Sequence, residues 1–312
     1  MNEDHPPKAT PAPESAAPHA PCPQCAGKAP GHQQYIYSIG RLDVRFPSVS
    51  LEREFQQRER QLLLERKTGW ANSGERLAHV LTHNPHLARA VCFVHSVGNI
   101  PAYIVAATGS EVLKGLVEAA RSAGQPDAWS IVIGKRGPMG MPTTCGGLLA
   151  PMMACDQIYT FTLKEFIDGL VQRVKLAGLP STKKAEALPA VAEDIFRRIA
   201  GSAENLGAED GHRALNYFLV QHPGLFLAAV ERANKAVLDS IETRTTVGAM
   251  DTRIVTVVLT FIDHATGVPE RLFCRIDVTD EWPFVAEIAH GGAAPLGLQP
   301  YIETSSHQSV PY

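Results

Sequence analysis

The chain has 312 residues, of which 45% are hydrophobic and 20% charged, with a formal net charge of −3. This is globular composition, enough for one large domain or two small ones. Such a balance offers no broad basic field for nucleic acid or an anionic membrane. No apolar run approaches the roughly 20 residues that span a bilayer.

Residues 1–33 are rich in Pro, Ala and His and carry no periodic apolar pattern, so a disordered tail is expected. The segment has no apolar h-region; export by a signal peptide is not expected, and the cytoplasm is the default compartment. In that reducing setting the six cysteines are expected as thiols or metal ligands rather than disulfides. The tail contains His19-Ala-Pro-Cys22-Pro-Gln-Cys25 and then His32. A Cys-Pro-X-Cys turn brings two thiolates onto one ion, as in a zinc knuckle, and His19 and His32 complete a tetrahedral set for Zn2+. A second Cys-X-X-Cys is missing, and the alternative is a solvated dithiol.

Order is expected from Gln34 to residue 292, followed by a flexible C-terminal tail over 293–312. Tyr35 to Gly40 is aromatic and β-branched, a first strand. Leu51 to Arg66 forms a charged helix capped by Ser50, with Leu51, Phe55, Leu62 and Leu63 as its apolar stripe. A second helix runs from Gly74 to His83 and stops before Asn84-Pro85. Ala90 to Val97 and Ala102 to Ala107 flank a Gly98-Asn99 turn and predict a hairpin. Glu111 to Ser122 reads as a helix. Trp129 to Gly134 and Leu148 to Phe161 read as strands around a glycine-rich loop. This part predicts an α/β sandwich with a mixed sheet.

Later, Leu163 to Leu176 is helical, Leu179 to Leu188 a polar connection, and Ala190 to Ala203 a helix. Arg213 to Asp239 predicts a long helix broken at Pro223-Gly224. Thr252 to Ile262 and Arg271 to Thr279 alternate apolar and polar residues about Asp263 to Pro269, a C-terminal β-hairpin. The fold class is therefore α+β, with a mixed, largely antiparallel sheet and packed helices.

Several groups could carry chemistry. In the Gly134 to Gly147 loop, glycines let backbone amides approach a ligand, while Lys135 and Arg136 can neutralise a carboxylate. The lysine precedes the spacer, so this is not a Walker A loop, and solvated cations are the alternative. Cys145 is a candidate nucleophile, with His79, His83, His86, His95 or His212 as a distant base. A small cysteine beside an apolar strand more often serves packing, as do Cys92, Cys155 and Cys274. Asp156 amid apolar residues calls for a structural partner. Asp277, with Asp280 and Glu281 near it, is either an anchor for a ligand or for Arg213, or a turn cap. His83-Asn-Pro-His86 sits at a helix end, which favours histidine without any metal.

Four blocks resemble a known family when taken in order: Tyr35-Ile-Tyr-Ser-Ile-Gly40-Arg, Arg136-Gly-Pro, Arg213-Ala-Leu-Asn-Tyr217 and Asp277-Val-Thr-Asp-Glu-Trp-Pro283. Asn84-Pro85 with Ala90-Val-Cys-Phe-Val-His, and Asn205-Leu-Gly207 before Arg213, fit the same order. Together they are similar to the C-terminal domain of the cyanobactin maturation proteases, the PatA/PatG group. The resemblance implies a role in making ribosomally synthesised, modified peptides, beside a subtilisin-like protease. This chain has no Asp-Ser-Gly, His-Gly-Thr or Gly-Thr-Ser segment, so the serine protease triad is not carried over. Cysteines that relatives carry before the last hairpin are also absent from Thr243 to Thr252.

The expectation is a free-standing, noncatalytic accessory protein that recognises or scaffolds a precursor peptide or a peptide-modifying enzyme, with a homodimer left open. Sheet edges and the basic loop offer strand addition for an extended peptide. The competing expectation is a zinc- or thiol-dependent peptide-modifying enzyme using Cys145 or the Cys22/Cys25 pair. A third is a structural subunit docking through the Leu51 to Arg66 helix.

Overall fold

The computed structural model describes residues 34–65, 69–176, 182–248, 252–286 and 298–301. Strand β1 (Tyr35–Arg45) serves two neighbours in turn. Its first half, to Gly40, pairs antiparallel with β4 (Ala128–Met139), and its second half pairs antiparallel with β2 (Cys92–Val97). The change of partner falls at Gly40, where a Cβ would lie 2.2 Å from the Ser96 carbonyl oxygen. Only glycine admits that approach.

β2 turns into β3 (Ile100–Ala107) through Gly98 and Asn99, both at positive φ, which matches the twist of a two-residue hairpin. β3 lies parallel to β5 (Pro151–Thr162), and β5 runs antiparallel to β4. The five strands therefore close into a barrel in the order β1-β2-β3-β5-β4. The mixed sheet expected from the sequence is present, but it is not the open layer of a sandwich. It closes because β1 divides its length between β4 and β2.

Period-2 alternation then gives β1 and β4 two apolar faces. Ile36, Leu42 and Val132 join a core with Phe93, Tyr103 and Val105. Over this core lie α1 (Val49–Glu65), α2 (Ser73–His83), α3 (Pro85–Ala90) and α4 (Ser110–Ala120). Ser48, rather than Ser50, caps α1 by accepting from the Leu51 amide at 3.2 Å. On the opposite face Tyr37, Ile39, Trp129, Ile131 and Ile133 pack against a helical layer. That layer is α5 (Leu163–Leu176), α6 (Thr182–Ala200), α7 (Asp210–Gln221) and α8 (Gly224–Arg232). Trp129 and Phe196 meet edge-on at 5.1 Å, and Phe166 and Phe196 at 4.8 Å. Each such pair adds about 0.5–1.5 kcal/mol beyond the area it buries.

The boundaries of α6 and α8 are among those that differ from the sequence reading. α6 begins at Thr182, inside the expected polar connection, and carries Pro189 within it. The helix expected to reach Asp239 ends at Arg232, and β6 (Ala236–Val247) follows. Its threonine- and valine-rich second half favours a pleated surface over a helix.

β6 pairs with β7 (Arg253–Asp263), and β7 with β8 (Pro269–Asp277), the expected C-terminal hairpin. β9 (Phe284–Val285) and β10 (Gln299–Pro300) add to β8. Val255, Val257, Leu259, Phe261, Cys274 and Ile276 bury this sheet against the helices. The class is α+β. No helix among the described residues is long and apolar enough to cross a membrane.

Candidate functional site

Arg213 and Asn216 lie three apart on α7 and so share one face of it. Arg213 is 1% exposed. Its guanidinium donates to the carbonyl oxygens of Val278 (2.6 Å), Asp280 and Glu281 (3.2 Å), and lies over the Tyr35 ring at 5.4 Å. Burial pulls its pKa down to about 10, so it remains a cation at neutral pH, facing Asp210 at 3.8 Å. Arg253 binds the same Asp210 oxygen at 3.0 Å and the Thr279 carbonyl at 2.7 Å. Two arginines thus cradle the backbone of the turn between β8 and β9. Asp277 caps this turn, accepting from the Thr279 amide at 2.8 Å. The structure gives Asp277 to its own turn and not to Arg213 or a ligand pocket.

Lys135 and Arg136 do not sit on a loop: β4 continues through both, and the loop begins after Met139. As strand neighbours they point apart. Arg136 donates to the Gln34 side chain at 3.1 Å, while Lys135 Nζ lies 3.9 Å from Glu281 Oε2. Lys135, Arg213 and the Asp277 turn are therefore gathered in one region, and Arg136 is directed elsewhere. Opposite Gly134, β5 bulges by one residue, Asp156. A Cβ on Gly134 would lie 2.0 Å from the Ala154 carbonyl oxygen, so the bulge requires glycine there. Burial, together with the nearby Asp156 carboxyl, holds Glu281 above the usual glutamic acid range.

Beside this cluster opens a cleft of about 540 Å³, with the barrel wall on one side and α5 and α7 on the other. Tyr37, Tyr159, Phe161, Tyr217, Trp282 and Pro283 give it an aromatic lining. Trp282 is 42% exposed and Tyr159 51%, a large apolar surface left open to solvent. The polar groups around it are engaged. Glu165 accepts from the Thr162 amide at 2.7 Å, and Arg173 donates to the Val220 carbonyl at 3.1 Å. Burial raises Tyr37 to about 12 and also raises Tyr217, so both phenols stay neutral. Such a cleft selects apolar and aromatic groups by shape.

The remaining candidates separate. Cys145 is buried and joined to Cys92 in a disulfide, with 5.9 Å between their Cα atoms. This corrects both the expected thiol state and the nucleophile: a sulfur engaged in a disulfide and shut from solvent does not attack a substrate. His95 lies in the barrel, Nε2 3.1 Å from Ser38 Oγ. His86 pairs with Glu54 at 2.8 Å, and His83 Nδ1 lies 2.9 Å from the His79 carbonyl. Among the described residues no three metal-ligating side chains converge. His19, Cys22, Cys25 and His32 lie outside the described residues.

Sequence reasoning missed the cleft, because it joins segments far apart in the chain. The signal within reach was the Asp280-Glu281-Trp282-Pro283 run, where an aromatic follows two carboxylates in a turn.

Residues 35–214 match the family described as PatG Domain, and residues 181–290 match PatG C-terminal. The chain belongs to the PatG Domain family, as the ordered blocks indicated. A solved structure described as "PatG Domain of Unknown Function" shares the fold, with a TM-score of 0.61 at 17% identity. The match covers 86% of this chain and 98% of that one. No curated protein matches the chain.

Proposed function

We propose that the protein is a noncatalytic accessory protein of a ribosomally synthesised, post-translationally modified peptide pathway of the cyanobactin type. In this reading it recognises the precursor peptide through the aromatic cleft. Family membership supports the pathway, and the open aromatic lining carries the recognition. Apolar or aromatic side chains of the peptide enter between Tyr159 and Trp282, the two most open rings. Recognition here holds a peptide without changing it, because Glu165 and Arg173 already satisfy the protein's own backbone.

Calorimetric titration with precursor peptides encoded beside the gene tests this reading. Binding is expected, and Trp282→Ala should weaken it by about 30-fold or more, as a central aromatic contact does. No binding to any such peptide, or equal binding by Trp282→Ala and Tyr159→Ala, overturns the reading.

A further inference from the structure

β6 ends the sheet order β10-β8-β7-β6, so among the described residues its outer edge carries no strand. The start of that edge is occupied. Arg198 on α6 donates to the carbonyl oxygens of Leu238 (3.2 Å) and Asp239 (3.1 Å), where the pairing with β7 also shifts by a residue. From Ser240 to Val247 the register with β7 is unbroken, and Glu242 to Val247 are all exposed. Neighbours on a strand point to opposite faces, so this half of β6 offers side chains on both faces beside its backbone edge. Natural sheets blunt such edges with Pro, Lys or bulges. Beyond Asp239, β6 has none of these: Ser240-Ile-Glu-Thr-Arg-Thr-Thr-Val247 is threonine-rich and suits a pleated surface.

Its two charges select the occupant. Glu242 and Arg244 share one face, with Oε2 and Nη2 3.2 Å apart, and Arg244 Nη1 also meets the Tyr301 hydroxyl at 2.7 Å. Turned about a two-fold axis through Thr243, an antiparallel copy of this strand sets Glu242 opposite the partner's Arg244, and Arg244 opposite the partner's Glu242. Thr243 then faces the partner's Thr243, and Ser240 the partner's Thr246. Opposite charges and threonine pairs directly across a ladder are both favourable. Moving the axis to Glu242 or to Arg244 sets like charges against each other, and a slip by one residue sets outward residues against inward ones. One register survives. We propose that the edge of β6 pairs with the same edge of a second copy of this chain, antiparallel about Thr243, so that two sheets run together as one. Such an interface is isologous and closed: each edge satisfies the other, and none is left for a third copy. The charge pattern complements itself, which an unrelated strand does not match. What the aromatic cleft holds does not enter.

Sedimentation of the full chain from about 1 µM to about 200 µM tests this, a range that brackets weak and moderate homodimers. A monomer–dimer equilibrium is expected, and amide exchange from Ser240 to Thr246 should slow as concentration rises. Glu242→Arg and Arg244→Glu should each weaken the dimer by about 10-fold or more, because each sets like charges opposite one another twice. The two exchanges together restore opposite charges and should bring the dimer back. A chain that stays monomeric to about 200 µM overturns the proposal. So does a dimer whose β6 amides exchange at a rate independent of concentration, single reversals that leave the dimer intact, or a double exchange no tighter than the singles. β6 amides protected in a monomer at every concentration also overturn it, and assign the edge to another part of the same chain. Should the variants fail to fold, the concentration dependence of exchange in the unmodified chain decides.

Discussion

Asn216 ties helix α7 to the first strand of the barrel: its Nδ2 donates to the Tyr37 carbonyl oxygen at 2.8 Å. Its Oδ1 accepts from Asn205 Nδ2 at 2.6 Å, and the Tyr37 amide donates to the Gly207 carbonyl at 2.9 Å. Gly207 has φ 76°, and a Cβ there would lie 2.3 Å from the Tyr37 oxygen. Asn205, Gly207 and Asn216 thus form one seat for β1. Asn216→Ala strands two buried polar groups, each worth about 1–3 kcal/mol. Urea unfolding should show a loss of about 2–4 kcal/mol; a loss below about 1 kcal/mol would contradict this role.

Arg213→Lys keeps the charge but gives up the planar fork that reaches three carbonyls. Hydrogen bonds to charged groups contribute about 1.5–3 kcal/mol each, so the variant should lose at least about 2 kcal/mol in denaturant titration. Hydrogen exchange should quicken at the amides of Val278 to Trp282 and stay unchanged in β2 and β3.

His95 makes stability fall in acid. It is fully buried, its Nδ1 has no partner, and burial holds its pKa down to about 3. The unfolded chain takes up the proton near pH 6.5, so stability is full above that value. It declines by about 1.4 kcal/mol per pH unit as pH falls toward 3. His222, held down to about 4 by burial, adds a decline of the same sign over its own window. Urea midpoints measured between about pH 7 and about pH 5 should drop less steeply in His95→Gln than in the unmodified chain.

Reduction of Cys92–Cys145 should lower the melting temperature. The bond closes a 53-residue separation, and a loop of that size corresponds to up to about 4 kcal/mol of unfolded-state entropy. Burial pushes Cys155 up to about 12 and Cys274 to about 11, so both stay protonated thiols. Calorimetric scans with and without reductant should differ for the unmodified chain. They should coincide, at the lower value, for the Cys92→Ser, Cys145→Ser double variant.

Local signals carried much of the fold. The Gly98-Asn99 turn, the stop at Asn84-Pro85 and the alternation of Val255 to Phe261 each depend on near neighbours, and each stands where expected. What was not legible depends on closure. Nothing near Tyr35 announces that its strand will pair with both β2 and β4, so the sequence predicts a mixed sheet in a sandwich and not its closure. The expected helix to Asp239 covers the start of β6, whereas pairing with β7 decides its state. In the site, Asp277, read as either an anchor or a turn cap, caps its own turn, while Arg213 reads backbone oxygens, which a sequence does not display. The Cys92–Cys145 union likewise needed the fold to bring the two together.

The dual pairing of β1 reaches beyond architecture. Tyr37, a wall of the aromatic cleft, sits on the half of that strand which joins β4, while the other half joins β2. The aromatic cleft is complete only once β1 has paired with β4, because that pairing brings Tyr37 to it. A chain caught with β1 unpaired therefore lacks one wall of the cleft, so the state of that cleft reports on whether the first strand has docked.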